Sequence, residues 1–411
     1  MDKNSNTSSP VRVAVERIDG KHRLAVDGEP FFVKGAGGGF GHTETLARRG
    51  GNSIRTWSTK NAMRVLDEAH AVGLKVLMGL DVARERHGFD YDDRDAVKQQ
   101  LDTLAAQVRE FKNHPALLAW GIGNELNLGA KNPAVWNAVN EIATMIHGLD
   151  GNHPATTMLA GANKTVVDEF NARCKDVDFL SVQMYGDVGH AKEKISAAGY
   201  TGPYLITEWG ATGHWEVPLT PWNAPIEQTS SEKADAILER YTAAVLGDPD
   251  NCMGSYVFLW GQKQERTPTW YGLFTEAGEQ TEAIDVMQYV WTGSWPEQRA
   301  PRLTEIAIDG KTRYDGVKLT AGASARAEVT TTSPTSSPIF IRAEVLPEAT
   351  VVGEGGDFEP RPEAVQNAIK RTHGDGIEFE APVKPGAYRL FAYVTDDSQR
   401  VATANLPFLV E

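Results

Sequence analysis

From residue 31 to residue 291 the chain alternates two kinds of segment, and this alternation constrains its fold more than any other feature. Short apolar runs recur at 31–35, 53–57, 75–81, 119–123, 155–159, 178–185, 204–208 and 254–260. Runs of that length bounded by turn residues read as strands buried on both faces. Between most of them, and after the last, apolar residues fall at helical spacing, over 61–72, 95–111, 133–149, 165–172, 191–198, 231–246 and 281–291. In the first of these Ala62, Val65, Leu66 and Ala69 share one face, and Gly73 supplies the stop. Eight strand units over roughly 260 residues predict a (β/α)8 TIM barrel. An open doubly wound sheet seldom needs eight parallel strands in one run.

Both flanks break the alternation. Residues 1–10 are polar and predict a flexible N-terminus. Residues 11–15 and 23–26 alternate around Asp19-Gly20, which predicts a β-hairpin leading into the barrel. The barrel domain is expected over 11–295 and a proline-bearing linker over 296–301. Over 302–411 short alternating runs appear at 303–308, 325–330, 339–345, 377–381, 387–395 and 401–410, with a turn of helix expected within 361–370. That pattern predicts an immunoglobulin-like β-sandwich, read as a brace or spacer for the barrel.

Two of the barrel strands end in glutamate. The run Leu117-Leu118-Ala119-Trp120-Gly121-Ile122-Gly123 closes on Asn124-Glu125, and Tyr204-Leu205-Ile206-Thr207 closes on Glu208. Barrels place their chemistry at the carboxyl ends of strands. Two convergent carboxylates suit cleavage of a glycosidic bond, where one gives a proton to the leaving oxygen and the other stays ionised at the anomeric carbon. A solvated loop residue or an ion-pair partner accounts for one such glutamate, but less easily for two.

Other signals bound the function. The net charge of −14 argues against nucleic acid or anionic membranes as partners. No apolar run is long enough to span a membrane. Residues 1–10 lack a hydrophobic signal core, so the protein is secreted or periplasmic if an export signal has been removed, and cytoplasmic otherwise. Cys174 and Cys252 stand apart from any ligand cluster and read as buried thiols. The stretch 35–41 is glycine-rich but fails the dinucleotide spacing, because Phe40 stands where the third glycine belongs, and reads as a flexible loop. Asp90, Asp92, Asp93 and Asp95 lack the glycine and terminal glutamate of a calcium loop. No cofactor and no catalytic metal are expected.

The motif Lys112-Asn113-His114-Pro115-Ala116-Leu117-Leu118-Ala119-Trp120-Gly121-Ile122-Gly123-Asn124-Glu125 resembles the acid/base signature of retaining clan A glycoside hydrolases, above all the barrel of family two. Ile206-Thr207-Glu208-Trp209-Gly210 is similar to the nucleophile strand of that clan. The resemblance implies Glu125 as acid/base, Glu208 as nucleophile, Asn124 as partner of the sugar 2-hydroxyl, and Arg55 as the charge that keeps the nucleophile ionised. It also implies a hydrogen bond from Tyr185 to the nucleophile and Trp260, expected at the end of the eighth strand, under the sugar ring. Family two carries two domains before its barrel, and only about 30 residues stand there here, so its substrate specificity does not transfer. Trp57 after the second strand, and Trp215 in the tryptophan-rich loop after the seventh, are candidate stacking subsites for a β-linked glucan or oligosaccharide. His214 beside Trp215 is either a subsite residue or a surface histidine. A transglycosylase on the same two glutamates and a non-catalytic carbohydrate-binding barrel are the alternatives to a hydrolase.

Overall fold

The computed structural model describes residues 10–335 and 338–411. Of the expected flexible N-terminus, residues 1–9 therefore lie outside the described residues. Contacts divide the chain into two compact units, one running to Trp209 and including Arg240–Val257, the other made of Gly210–Glu239 and Phe258–Glu411.

A three-stranded sheet precedes the barrel: β1 (Val13–Ile18), β2 (Lys21–Val26) and β3 (Glu29–Phe31). The barrel strands are β4 (Val33–Gly37), β5 (Ser53–Arg55), β6 (Lys75–Leu80), β7 (Leu117–Ile122), β8 (Ala155–Ala160), β9 (Phe179–Gln183), β10 (Tyr204–Gly210) and β11 (Cys252–Phe258). They close into a ring in the order β10-β11-β4-β5-β6-β7-β8-β9. The flanking helices are α1 (Thr43–Arg48), α2 (Ala62–Ala71), α3 (Arg94–Phe111), α4 (Ala134–Leu149), α5 (Lys164–Arg173), α6 (Ala191–Ala197), α7 (Ser230–Arg240) and α8 (Glu282–Thr292). The eight expected strands are all present. Helix α1 was not foreseen, because six residues give too short a window for periodicity.

The glycine-rich stretch is not simply a loop. Gly35 and Gly37 are strand residues of β4. A Cβ on Gly35 would stand 2.4 Å from the Tyr256 ring, and one on Gly37 would stand 2.9 Å from Trp57. These glycines leave room for large rings from neighbouring strands. The hairpin seals the opposite end of the barrel. Val13 and Leu24 join Val33, Leu77, Leu118, Met158, Phe179, Leu205 and Met253 in one buried cluster. The hairpin is anchored there by Val13 N–H on the Asn152 carbonyl and His22 N–H on the Asp250 carbonyl, both at 2.7 Å. Asp93 caps α3 through the Asp95 and Ala96 amides. Cys174 and Cys252 are free and buried, and burial pushes both thiols up to about 12.

In the second unit two sheets enclose a core of their own. The strands are β12 (Gln280–Thr281), β13 (Arg302–Ile308), β14 (Lys311–Thr312), β15 (Lys318–Leu319), β16 (Ser324–Thr332), β17 (Ile339–Pro347), β18 (Ile369–His373), β19 (Gly376–Glu380), β20 (Gly386–Asp396) and β21 (Arg400–Val410). One sheet runs β12-β21-β20-β17 with β15 on β21, and the other runs β14-β13-β16-β19-β18. β16 alternates exposed and buried positions along most of its length, as one wet and one packed face require. Leu303, Ile306, Ala327, Phe379, Leu390, Leu406 and Phe408 form the interior. Residues 361–370 hold no helix, and β18 begins there instead.

The sandwich is tied to the rest of its own unit by buried polar contacts. Arg389 donates to the Pro225 carbonyl at 2.5 Å. Asn405 donates to Glu227 at 2.5 Å, and Arg400 to Asp285 at 2.6 Å.

Candidate active site

The site lies within the first unit, at the carboxyl ends of β5, β7, β9 and β10. Strand β10 carries a bulge: Ile206 pairs with Val182 and Glu208 with Gln183, leaving Thr207 as the extra residue. A bulge re-aims the side chain after it and frees backbone groups from the ladder. Both effects appear here. The Thr207 carbonyl is taken by Arg55 Nη1 at 2.9 Å, and the same nitrogen donates to Glu208 Oε1 at 2.7 Å.

Glu208 receives two further bonds. The Trp57 indole N–H donates to Oε1 at 2.6 Å, and the Tyr185 hydroxyl donates to Oε2 at 2.9 Å. Oε1 thus carries a guanidinium and an indole, whereas Oε2 carries one neutral donor. Glu208 is 6% exposed and Arg55 fully buried, so this ion pair is shielded from water and salt. Trp57 reaches the carboxylate because its backbone lies against a strand without a side chain: a Cβ on Gly79 would meet the Thr56 carbonyl oxygen and the Trp57 carbonyl carbon at 2.5 Å. The Arg55 guanidinium also sits 5.0 Å from the Trp57 ring centre.

At the end of β7 the chain turns sharply. Gly123 has φ 70° and Glu125 has φ 50°. The left-handed conformation is cheap for glycine and costs a residue like glutamate on the order of 1–2 kcal/mol. Strain of this kind persists where surrounding bonds impose it, and it gathers at functional positions. Glu125 N–H donates to the Met158 carbonyl at 3.0 Å, Leu128 N–H donates to the Glu125 carbonyl at 2.9 Å, and Arg84 Nε reaches the Asn124 carbonyl at 3.3 Å. Asn124 Oδ1 accepts from Arg55 Nη2 at 2.5 Å and from Gln183 Nε2 at 2.7 Å. One guanidinium therefore spans Asn124, next to Glu125, and Glu208. This is the link between the two strand ends that sequence spacing does not provide.

The structure brings Arg55, Trp57, Asn124, Tyr185 and Glu208 into direct contact, with Glu125 next in chain to Asn124. Trp57, read from sequence as a stacking subsite, is a hydrogen-bond donor to Glu208. The eighth strand ends at Phe258, two residues before Trp260. Trp260 is 2% exposed, its ring against Phe274 and Trp291 in the second unit. Trp215, in that unit too, is 60% exposed and stands edge-on to His214. His214 is bonded to Tyr271 and Arg266, and burial lowers it to about 4, so it is neutral near pH 7. Sequence reasoning placed Gln183 beside Tyr185 at the barrel mouth without giving it a role, and missed Arg84. The only signal for Gln183 was its place two residues before Tyr185, and Arg84 gave none.

Residues 52–231 match the family described as glycosyl hydrolases family 2, TIM barrel domain. A β-galactosidase of Oenococcus oeni is 23% identical over 220 residues, which cover 48% of this chain and 20% of that protein. The chain thus spans about a fifth of the length of this curated relative. Among solved structures, a calcium-binding mutant of Bacteroides uniformis β-glucuronidase 2 aligns over 96% of this chain and 47% of its own, with a TM-score of 0.52 and 13% identity. A β-D-glucuronidase of Dictyoglomus thermophilum aligns over 70% and 54%, with a TM-score of 0.53 and 17% identity. At such identities these likenesses concern the fold. The chain resembles the catalytic barrel of glycoside hydrolase family two, within clan A.

Proposed function

We propose, from the family-two barrel match and the side-chain constellation at its strand ends, that this protein is a retaining β-glycosidase working by double displacement. The observation that carries the proposal is the Glu208 carboxylate, fixed by Arg55, Trp57 and Tyr185, with Asn124-Glu125 tied to the same guanidinium.

Each residue then has a task. Glu208 attacks the anomeric carbon through Oε2, the oxygen with a single neutral donor. Oε1, held by Arg55 and Trp57, orients the carboxylate and retains the paired charge. Glu125 gives its proton to the leaving oxygen and afterwards takes one from the attacking water. Asn124 directs its amide N–H groups to the sugar 2-hydroxyl, a contact that strengthens as positive charge develops at the anomeric carbon. A β-linked glucan or oligosaccharide is the proposed substrate.

The test is incubation with β-linked glucans and aryl β-glycosides, sizing of the products, and NMR of the first-formed anomer. Shorter products with the β-anomer first support the proposal. An α-anomer first would overturn retention. Products longer than the substrate would reassign the site to glycosyl transfer. No change on any substrate by folded protein would favour a binding barrel.

A further inference from the structure

We infer that Gln183 is a positioning residue that locks the Asn124 amide in the one orientation able to donate to substrate. Its readout through the 2-hydroxyl rests on the glycosidase reading above.

The argument begins at Arg55. A guanidinium has donors only, so the Asn124 atom 2.5 Å from Arg55 Nη2 is the oxygen. Gln183 faces that same oxygen at 2.7 Å and must therefore present its NH2 group. The orientation of both amides follows from a group that cannot flip. One donor on a carbonyl oxygen fixes a distance but leaves the amide plane free to turn, because the terminal torsion of asparagine is broad. A second donor on the other lone pair fixes the plane. With Oδ1 doubly occupied, the Asn124 Nδ2 group carries no hydrogen bond among the described residues and remains available to a ligand.

Gln183 meets this role at a cost. Its own Oε1 is buried and has no hydrogen-bond partner among the described residues, an arrangement that disfavours folding. Gln183 is 3% exposed, so an apolar side chain would pack there without that cost. Gln183 is also the residue paired with Glu208 across the β10 bulge. It therefore links the Asn124 amide to the strand position that aims Glu208.

The test compares wild type, Gln183→Met and Gln183→Glu on an aryl β-glycoside and its 2-deoxy analogue. Gln183→Met removes the donor at similar volume. It is expected to lower kcat/KM about 10-fold on the 2-hydroxy substrate and less than about 3-fold on the 2-deoxy one. Gln183→Glu sets an acceptor against Asn124 Oδ1 and is expected to lower the first by about 100-fold. The Tm of Gln183→Met is expected to be unchanged or raised. Equal losses on both substrates, no loss on either, or a loss that follows a fallen Tm would overturn the inference. A crystal structure of Gln183→Met reads the same point without turnover: a rotated or doubled Asn124 amide supports the inference, and an unmoved one overturns it. If wild type cleaves neither glycoside, the glycosidase reading fails and the crystallographic result still decides the role of Gln183.

Discussion

Two buried glutamates invite comparison, Glu208 in the first unit and Glu227 in the second. Glu227 is 2% exposed and accepts from Lys233 at 2.5 Å, Thr267 at 2.6 Å, Thr269 at 2.9 Å and Asn405 at 2.5 Å. Burial works to raise its carboxyl, but Lys233 and the hydroxyl donors outweigh it and hold the group below the ordinary range. Glu208 has its own cation and two neutral donors, so burial and charge pairing do not tell the two apart. What differs is geometry. Glu227 has two donors on each oxygen, and its network joins the 227–233 and 267–269 segments to a sandwich strand. Glu208 follows a bulge, keeps Oε2 with one donor, and shares its arginine with an asparagine beside a strained second glutamate. A buried ion pair alone marks a joint; that asymmetry marks a site.

Substitution can break or sharpen this contrast. The largest expected effect is at Glu208: the alanine variant should lose at least about 10⁴-fold in kcat and regain activity with azide as the α-glycosyl azide. Undiminished turnover in that variant would end the comparison. Glu125→Ala should lose about 10³-fold on substrates with poor leaving groups. Pre-steady-state release of a good leaving group should be spared. Glu227→Gln should leave kcat per folded molecule intact while costing about 3–5 kcal/mol in urea unfolding, because Lys233 is left buried beside a neutral partner. Adding Lys233→Met should recover most of that loss.

A third buried carboxyl sharpens the contrast by shifting the opposite way from Glu227. Burial pushes Glu282 up to about 7, against the pull of Arg302 and Arg299. The folded state then holds its proton more tightly than the unfolded chain does. The stabilisation is present below about pH 4.5 and is lost as the pH rises through 7, by about 3 kcal/mol at most. Glu282→Gln should flatten that slope in chemical denaturation across the range. The smallest effect is expected at Trp57→Phe, which keeps a ring near Arg55 and removes one donor from Glu208. It should lower kcat/KM about 10-fold, equally across leaving groups.

Legibility in the sequence followed the range of the interaction. The barrel was readable because each strand is a contiguous apolar run, and Glu125 and Glu208 stood out because each closes one. Arg55 and Tyr185 entered through resemblance to a family, not through spacing. The bulge at Thr207 was invisible, since it is a mismatch between two strands and neither shows it alone. The hydrogen bond from Trp57 to Glu208 was not legible, because nothing local reveals that Gly79 makes room for the Trp57 backbone. Gly37 was read as part of a flexible loop for the same reason: its bare face matters only once the Trp57 ring is there. In the sandwich, residues 361–368 hold no helix, and β18, which starts at Ile369, was not legible because its pairing with β19 is not a property of either segment alone.

Most surface loops of such a chain can gain or lose a residue with little consequence. Position 207 stands in the middle of a barrel strand, where evolution has no such freedom. Removing that one codon would close the bulge: Glu208 would stay opposite Gln183, but the Thr207 carbonyl that Arg55 bonds would be gone and the Glu208 side chain would lose the re-aiming that brings it to Arg55 and Tyr185. Strand β10 therefore carries a constraint on length as strict as its constraint on identity, and homologues that vary freely in their loops should share the residue count from Tyr204 to Glu208.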